Sequence, residues 1–430
     1  MLSGCTTYGV IKNTPLTPST ASQTYGLRDR SGTNSGDLLV MLAFSGGGTR
    51  AAALSYGVLK ELRDTTVQID GRPVRMLDEV DAISSVSGGS FTAAYYGLHG
   101  EKTFTDFEGA FLRRNIQSAL IDLVLNPFLW FTSTGRTDRA IEFYERNIFH
   151  NATFADLVGP KRPFILINAS DLAYGVRFSF IQEYFTLLCS DLSTFPIARA
   201  VAASSAVPVL FDPVVVENFA GCDADVGKWL EAAKQRAAGE VQTMQILEGA
   251  ETYLDKDRRK YVHFVDGGIT DNLGLRAILE IIDVAGGLDG FFAGLRVAPP
   301  RHVVVISVNA ATNPEPAMDR SNEQPGIAET ISAMNDVQLR RYSAATLDAI
   351  KQKMARWAQA VSTPQRPVAS HFIQLTFADL SDTSQRKFFE KLPTSFALSD
   401  EQVDKLISVG GTLLRENADF RRLLTTLEAR

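Results

Sequence analysis

Cysteine is scarce in this 430-residue chain: Cys5, Cys189 and Cys222 are its three, and no C-x-x-C spacing occurs. That excludes a disulfide framework and a cysteine-rich zinc site. It leaves either a single Cys189–Cys222 bridge in an oxidising compartment or two unpaired thiols near a core. No stretch reaches 18 consecutive apolar residues, so nothing here spans a bilayer as a helix. Neither charge sign is in large excess: 43 Lys+Arg against 49 Asp+Glu give a net charge of −6, which argues against a nucleic-acid binder. Both G-x-x-x-x-G-K-[ST] and G-x-G-x-x-G are missing, which removes the usual phosphate and dinucleotide fingerprints. What remains is an ordinary globular balance, 45% apolar and 21% charged, long enough for one large α/β domain or a few smaller ones.

The first residues carry a different signal. Leu2-Ser3-Gly4-Cys5 is similar to the lipobox of bacterial lipoproteins, in which a peptidase cuts before the cysteine and the new N-terminus receives acyl chains. The charged and apolar regions that precede such a cysteine are not in the sequence. On this reading Cys5 is a lipidation position and the protein is tethered to a bacterial envelope membrane; otherwise the match is chance. Residues 11–37 are rich in Thr, Ser, Gly, Asn and Pro, which suits a flexible linker or a frayed terminus. Residues 1–37 are therefore expected to be a flexible segment, and 38–430 one domain.

Order begins at Leu38–Phe44, a continuous apolar run that reads as a strand buried on both faces. Further strands are expected at 80–84, 164–169, 177–184, 261–265, 302–309 and 371–377. Helical patterns fall between most of them, which predicts an α/β three-layer sandwich around a mostly parallel sheet. Residues 218–259 read as an insertion, a loop followed by a helix over 228–253. The C-terminal third, 276–430, reads as a mostly helical extension. Its segment 327–361 has apolar residues near helical spacing and a basic face, Arg340, Arg341, Lys351, Lys353 and Arg356, expected in solvent or against anionic head groups.

Three strand-end motifs bear chemistry. Ile83–Ser90 (I-S-S-V-S-G-G-S) is strand, tight turn and helix, the setting of a nucleophile elbow with Ser87 at its apex. Gly89 fills one of the small positions such a turn needs, and Ser85 stands at the other. Gly46-Gly47-Gly48 lets backbone N–H groups converge at a helix N-terminus, suited to a phosphate or an oxyanion. Asp266-Gly267-Gly268 follows the strand at 261–265 and puts a carboxylate where it reaches a cleft, although Asp-Gly-Gly is also an ordinary turn. Asp271 or Asn272 is expected to cap the next helix. The apolar segment 119–131 suits either an acyl-pocket wall or a core.

In this order the motifs resemble the patatin-like phospholipase family. Ala203–Phe211 (A-S-S-A-V-P-V-L-F) is similar to that family's Ala-Ser-x-Ala-x-Pro-x-x-Phe block. The likeness spans residues 38–275, with Ala51 and Ser85 where the family has glycine. The resemblance implies a Ser–Asp dyad that hydrolyses lipid acyl esters through an acyl-serine: Ser87 the nucleophile, Asp266 the base, Gly46, Gly47 and Gly48 the oxyanion donors. Arg50 braces that loop, and Gly89, Gly267 and Gly268 support the two turns. It implies no metal or organic cofactor, a phospholipid or other acyl-ester substrate, a membrane surface and no nucleic acid. Acyl transfer by the same dyad, or an inactive lipid-binding envelope protein, are the alternatives. Among five histidines only His371 comes late enough for a Ser-Asp-His order, and it opens a strand.

Overall fold

Alternate residues of β1 (Leu38–Phe44) face two different cores, and this places the strand at the centre of the molecule. Val40, Leu42 and Phe44 join a large apolar cluster on one side, while Met41 and Ala43 join a second cluster on the other. The computed structural model describes residues 8–17, 25–27, 35–69, 71–116, 118, 135–159, 162–208, 210–222, 227–237, 239–313 and 318–428. Cys5 and the apolar segment 119–131 lie outside them.

Beside β1 lie β2 (Val80–Val86), β3 (Phe164–Asp171), β4 (Arg177–Ser179), β5 (Val214–Glu217), β6 (Tyr261–Val265), β7 (His302–Asn309) and β8 (Ala369–Thr376). They form one eight-stranded sheet in the order β8-β7-β1-β2-β3-β6-β5, with β4 paired to β3 off this path. From β8 to β3 all pairings are parallel. The pairings of β6 with β3, β5 with β6 and β4 with β3 are antiparallel. Six helices frame the site: α1 (Gly48–Asp64), α2 (Gly88–His99), α3 (Ile197–Ser204), α4 (Leu275–Ala285), α5 (Ile327–Val361) and α6 (Asp400–Glu416). α1, α2, α3 and α6 pack on the Leu42 face; α4 and α5 cover the Met41 face through Leu275, Ile278, Ile350, Met354 and Trp357. The three layers and the mostly parallel sheet agree with expectation.

Several details do not. The strand expected over 177–184 stops at Ser179, and Gln182 already starts a short helix. The helix expected over 228–253 is two, Lys228–Arg236 and Val241–Glu251, parted at Gly239 with φ +97°. Three further strands carry no such expectation, β5 and the two of the hairpin Thr66–Ile69 with Arg72–Arg75. Since β5 pairs with β6, the inserted residues 218–259 are an excursion between adjacent antiparallel strands. The segment before residue 38 is not uniformly loose. Thr14–Pro15 pairs with Ser190–Asp191, the Asn13 amide donates to Ser190 Oγ and Glu217 O at 2.7 Å, and Tyr25 is 2% exposed in the main core. Apolar burial of Tyr25 and pairing of buried backbone groups outweigh the linker-like composition. Cys189 and Cys222 are joined in a disulfide.

Among the described residues no helix is long and apolar enough to cross a membrane. On α5 the residues of the basic stripe are exposed, except that Lys353 is half-buried and pairs with Asp283 and Glu240.

Candidate active site

β1 and β2 are parallel neighbours, and each ends in a tight turn into a helix. Such paired crossings at the carboxyl ends of strands open a crevice. At the end of β2, Ser87 has φ +50° and ψ −121°, a strained conformation for a residue with a Cβ, and α2 begins at the next residue. The turn lifts the Ser87 hydroxyl off the sheet. Gly89 is needed for close approach: a Cβ there would stand 2.8 Å from Phe44 O and Ser45 O. Ser85 keeps the place that a glycine takes in the family pattern because its hydroxyl is satisfied, donating to Leu166 O at 3.1 Å and accepting from Ser90 Oγ at 3.1 Å.

Asp266 reaches the same crevice by a reversal. β6 runs antiparallel to β3, so Val265 pairs with Ser170 while Val86 of β2 pairs with Asn168 of β3. The next residues of β2 and β6 therefore meet across β3. Ser87 Oγ donates to Asp266 Oδ2 at 2.9 Å, and the Gly268 amide donates to Asp266 Oδ1 at 2.7 Å. Ser87 and Asp266 are 6% and 8% exposed, too little to hydrate a carboxylate fully. Burial pushes the Asp266 carboxyl up to about 6, against the opposing pull of the hydrogen bonds from Gly268 and Ser87. Gly267 lies against Asn168 O, where a Cβ would come within 2.2 Å.

The Ala203–Phe211 block, to which sequence reasoning attached no chemical role, locks both Ser87 and Asp266. Ser204 Oγ accepts the Ser87 amide at 2.9 Å and donates to Asn168 O at 2.6 Å. Ala206 O accepts the Asp266 amide at 2.9 Å, and Ser204 O accepts the Gly267 amide at 3.0 Å. The Asp266 carbonyl is taken by Ser170 Oγ at 2.8 Å. Asp271 caps α4, accepting from the Arg276 and Ala277 amides at 2.8 and 3.2 Å.

The glycine turn lies beside Ser87 but needs a correction. The Gly46 amide is committed, donating to Asn272 O at 3.0 Å, so it is not free for a substrate oxygen. Gly46 serves proximity instead: a Cβ there would sit 2.6 Å from Asn272 Oδ1 and 3.3 Å from Ser87 Cβ. The amides of Gly47 and Gly48 have no hydrogen-bond acceptor among the described residues, nor has that of Gly88. Gly48 and Gly88 are in close contact, since a Cβ on Gly88 would fall 2.7 Å from Gly48 N. Arg50, expected to brace this turn, ties the start of α1 directly after it to distant segments. Its guanidinium is 3% exposed and donates to Ala310 O at 2.9 Å, Leu392 O at 2.5 Å and Thr394 Oγ1 at 2.9 Å. Burial lowers its pKa to about 10, and it remains a cation at neutral pH.

No His joins this constellation. His302 and His371 contact each other at the opposite ends of β7 and β8, 3.1 Å between ring nitrogens. Among the described residues no group of three or more His, Cys, Asp or Glu could hold a metal ion.

A family model described as patatin-like phospholipase matches residues 42–279. No curated protein sequence matches the chain significantly. Similar solved structures include human GIVD cytosolic phospholipase A2, at TM-score 0.46 and 12% identity over 96% of this chain and 67% of that one. The same human protein in complex with methyl gamma-linolenyl fluorophosphonate gives TM-score 0.43 and 13% identity, over 96% and 64% of the two chains. The chain thus spans about two thirds of the length of those structures. The family model covers more than half of the sequence and includes Ser87, Asp266 and all three glycines of the turn; the chain belongs to the patatin-like phospholipase family.

Proposed function

We propose that the protein is a lipid acyl hydrolase that cleaves carboxylic ester bonds of phospholipids or related lipids through a Ser87–Asp266 dyad. The observation that carries the reading is the direct Ser87 Oγ to Asp266 Oδ2 hydrogen bond at 2.9 Å, in a crevice lined by uncommitted amides. Ser87 Oγ attacks the ester carbonyl while its proton passes to Asp266. A carboxylate with an ordinary pKa near 3.9 is a weak base for this step; one held at about 6 by burial is better matched to neutral pH. The tetrahedral oxyanion takes hydrogen bonds from the amides of Gly47, Gly48 and Gly88, at the N-termini of α1 and α2, where the helix dipoles favour negative charge. The alcohol leaves with the proton from Asp266. Water, deprotonated by Asp266, then releases the fatty acid from acyl-Ser87.

A lipid substrate suits an enzyme tethered by acyl chains on Cys5, and the Cys189–Cys222 disulfide suits an oxidising compartment. Purified protein is expected to hydrolyse a fluorogenic phospholipid and to label with an alkyl fluorophosphonate, and Ser87→Ala to do neither. Equal labelling of Ser87→Ala and the wild type, with no ester hydrolysed, would refute the reading.

A further inference from the structure

The family match ends at residue 279, yet the glycine turn is held from beyond it. Four contacts converge on the turn from the Leu392–Ser395 loop. Leu392 O and Thr394 Oγ1 accept from the Arg50 guanidinium at 2.5 and 2.9 Å, and Ser395 O accepts the Thr49 amide at 2.9 Å. The fourth is steric: a Cβ on Gly48 would lie 2.4 Å from Ser395 O, so the backbones touch there. Thr49 is in the first turn of α1, where amides have no partner inside the helix and must find one outside.

We propose that the Leu392–Ser395 loop is a positioning element of the active site, with Thr394 its key side chain. Resting on the hydrolase reading, it assigns to this loop the task of keeping the Gly47 and Gly48 amides in register with Ser87. The physical need is specific. Gly47 and Gly48 have φ of +138° and +59°, and glycines lose more conformational freedom than any other residue when fixed. Their amides serve an oxyanion only if their direction is set before the reaction. Local sequence does not set it. The outside restraints on Thr49 and Arg50 are Ala310 at the end of β7 and the Leu392–Ser395 loop, so two of the three acceptors of the guanidinium come from that loop. Every one of those acceptors is a neutral oxygen. The cation therefore sits behind the turn without a carboxylate to fix its orientation, and Thr394 and Leu392 do so instead.

The loop is itself tied to the helix it positions. α6 follows it directly and lies along α1 at backbone contact: a Cβ on Gly57 would meet Ile407 O at 2.2 Å, and one on Gly410 would meet Leu54 O at 2.5 Å. The C-terminal third thereby grips α1 along its length and at its N-terminus.

Thr394→Val removes the hydroxyl at nearly constant volume, and Thr394→Ser keeps it. With the full-length protein, we expect Thr394→Val to lower kcat and the fluorophosphonate labelling rate of Ser87 by ~10- to 100-fold, the scale of a catalytic group displaced by a fraction of an ångström to 1 Å. KM should stay within about twofold, since substrate is not touched, and Thr394→Ser should recover most of the rate. Hydrogen exchange of the Gly46–Arg50 amides should quicken in Thr394→Val alone. Wild-type rates and exchange in Thr394→Val, or a loss equal in Val and Ser variants, would overturn the proposal. If the wild type neither hydrolyses nor labels, the hydrolase reading fails, and the exchange comparison still decides whether the loop holds the turn.

Discussion

The two turns that form the crevice are built alike and held differently. Each leaves a parallel strand, passes through positive φ and enters a helix whose first amide, that of Gly48 or Gly88, has no acceptor among the described residues. The serine turn is secured from inside the family-matched region, by Ser85, Ser90 and Ser204. The glycine turn is held from inside it only at Gly46, by Asn272 O, and from outside it at Thr49 and Arg50, by Ala310, Leu392, Thr394 and Ser395. Ser87 thus depends on short hydroxyl bridges packed against the sheet, whereas the Gly47 and Gly48 amides depend on how the last third of the chain docks.

The serine turn breaks most severely at its carboxylate. Asp266→Asn is expected to lower ester hydrolysis by ~10³-fold or more, because nothing else in the crevice takes the Ser87 proton. The wild-type kcat/KM should fall tenfold per pH unit below about 6, as the base is protonated. The same group makes an opposite stability prediction. Its folded pKa of about 6 lies above the unfolded value, so its contribution is present below about pH 4 and lost as pH rises through 6. Asp266→Asn should therefore melt higher than the wild type above pH 7, by on the order of 2 kcal/mol, and the gap should close below pH 4. Thermal melts at pH 4 and 8 check the sign.

A second pair of variants sharpens the contrast. In Gly89→Ala the new methyl meets the backbone of Phe44 and Ser45 in the middle of the core. Melting temperature and activity should drop together, at ~1–3 kcal/mol. In Gly48→Ala the methyl meets Ser395 O at 2.4 Å, at a residue with φ +59°, so stability should fall as well and displacement of the turn should cost kcat in addition. Measuring both quantities for both variants separates the two turns; equal ratios of lost activity to lost stability would erase the distinction.

The smallest effects concern the hydroxyls. Ser204→Ala leaves the Ser87 amide buried without an acceptor and should cost about 1–3 kcal/mol and about tenfold in rate. Ser85→Gly restores the family residue; with the Ser90 hydroxyl still bonded to Ser204, it should change stability by less than ~1 kcal/mol and rate by less than about twofold. Denaturant midpoints and initial rates test this ranking.

The legible parts of the site were those written locally. Ile83–Ser90 announced a strand, a small-residue turn and a helix within eight positions, and Leu38–Phe44 announced a strand buried on both faces. Ser204 lay within a recognised block but bore no local sign of its task, since Ala-Ser-Ser reads as plain helix. Nothing in the spacing of Lys391–Asp400 points to the glycine turn, so the Leu392–Ser395 brace carried no local signal. Gly46 was misread because an amide's availability depends on whether some distant carbonyl, here Asn272 O, has taken it.

Sequence by itself determined most of the sheet's parallel strands, the turn chemistry and the amphipathic stripe of 327–361, because each follows from spacing within a few residues. Tertiary structure decided which turns meet. The antiparallel return of β6 puts Asp266 beside Ser87, the docking of 392–416 on α1 orients Arg50, and desolvation in the closed crevice raises the Asp266 pKa. Those outcomes depend on loop closure over tens to hundreds of residues and on water excluded by neighbours remote in the chain, and no local pattern encodes either.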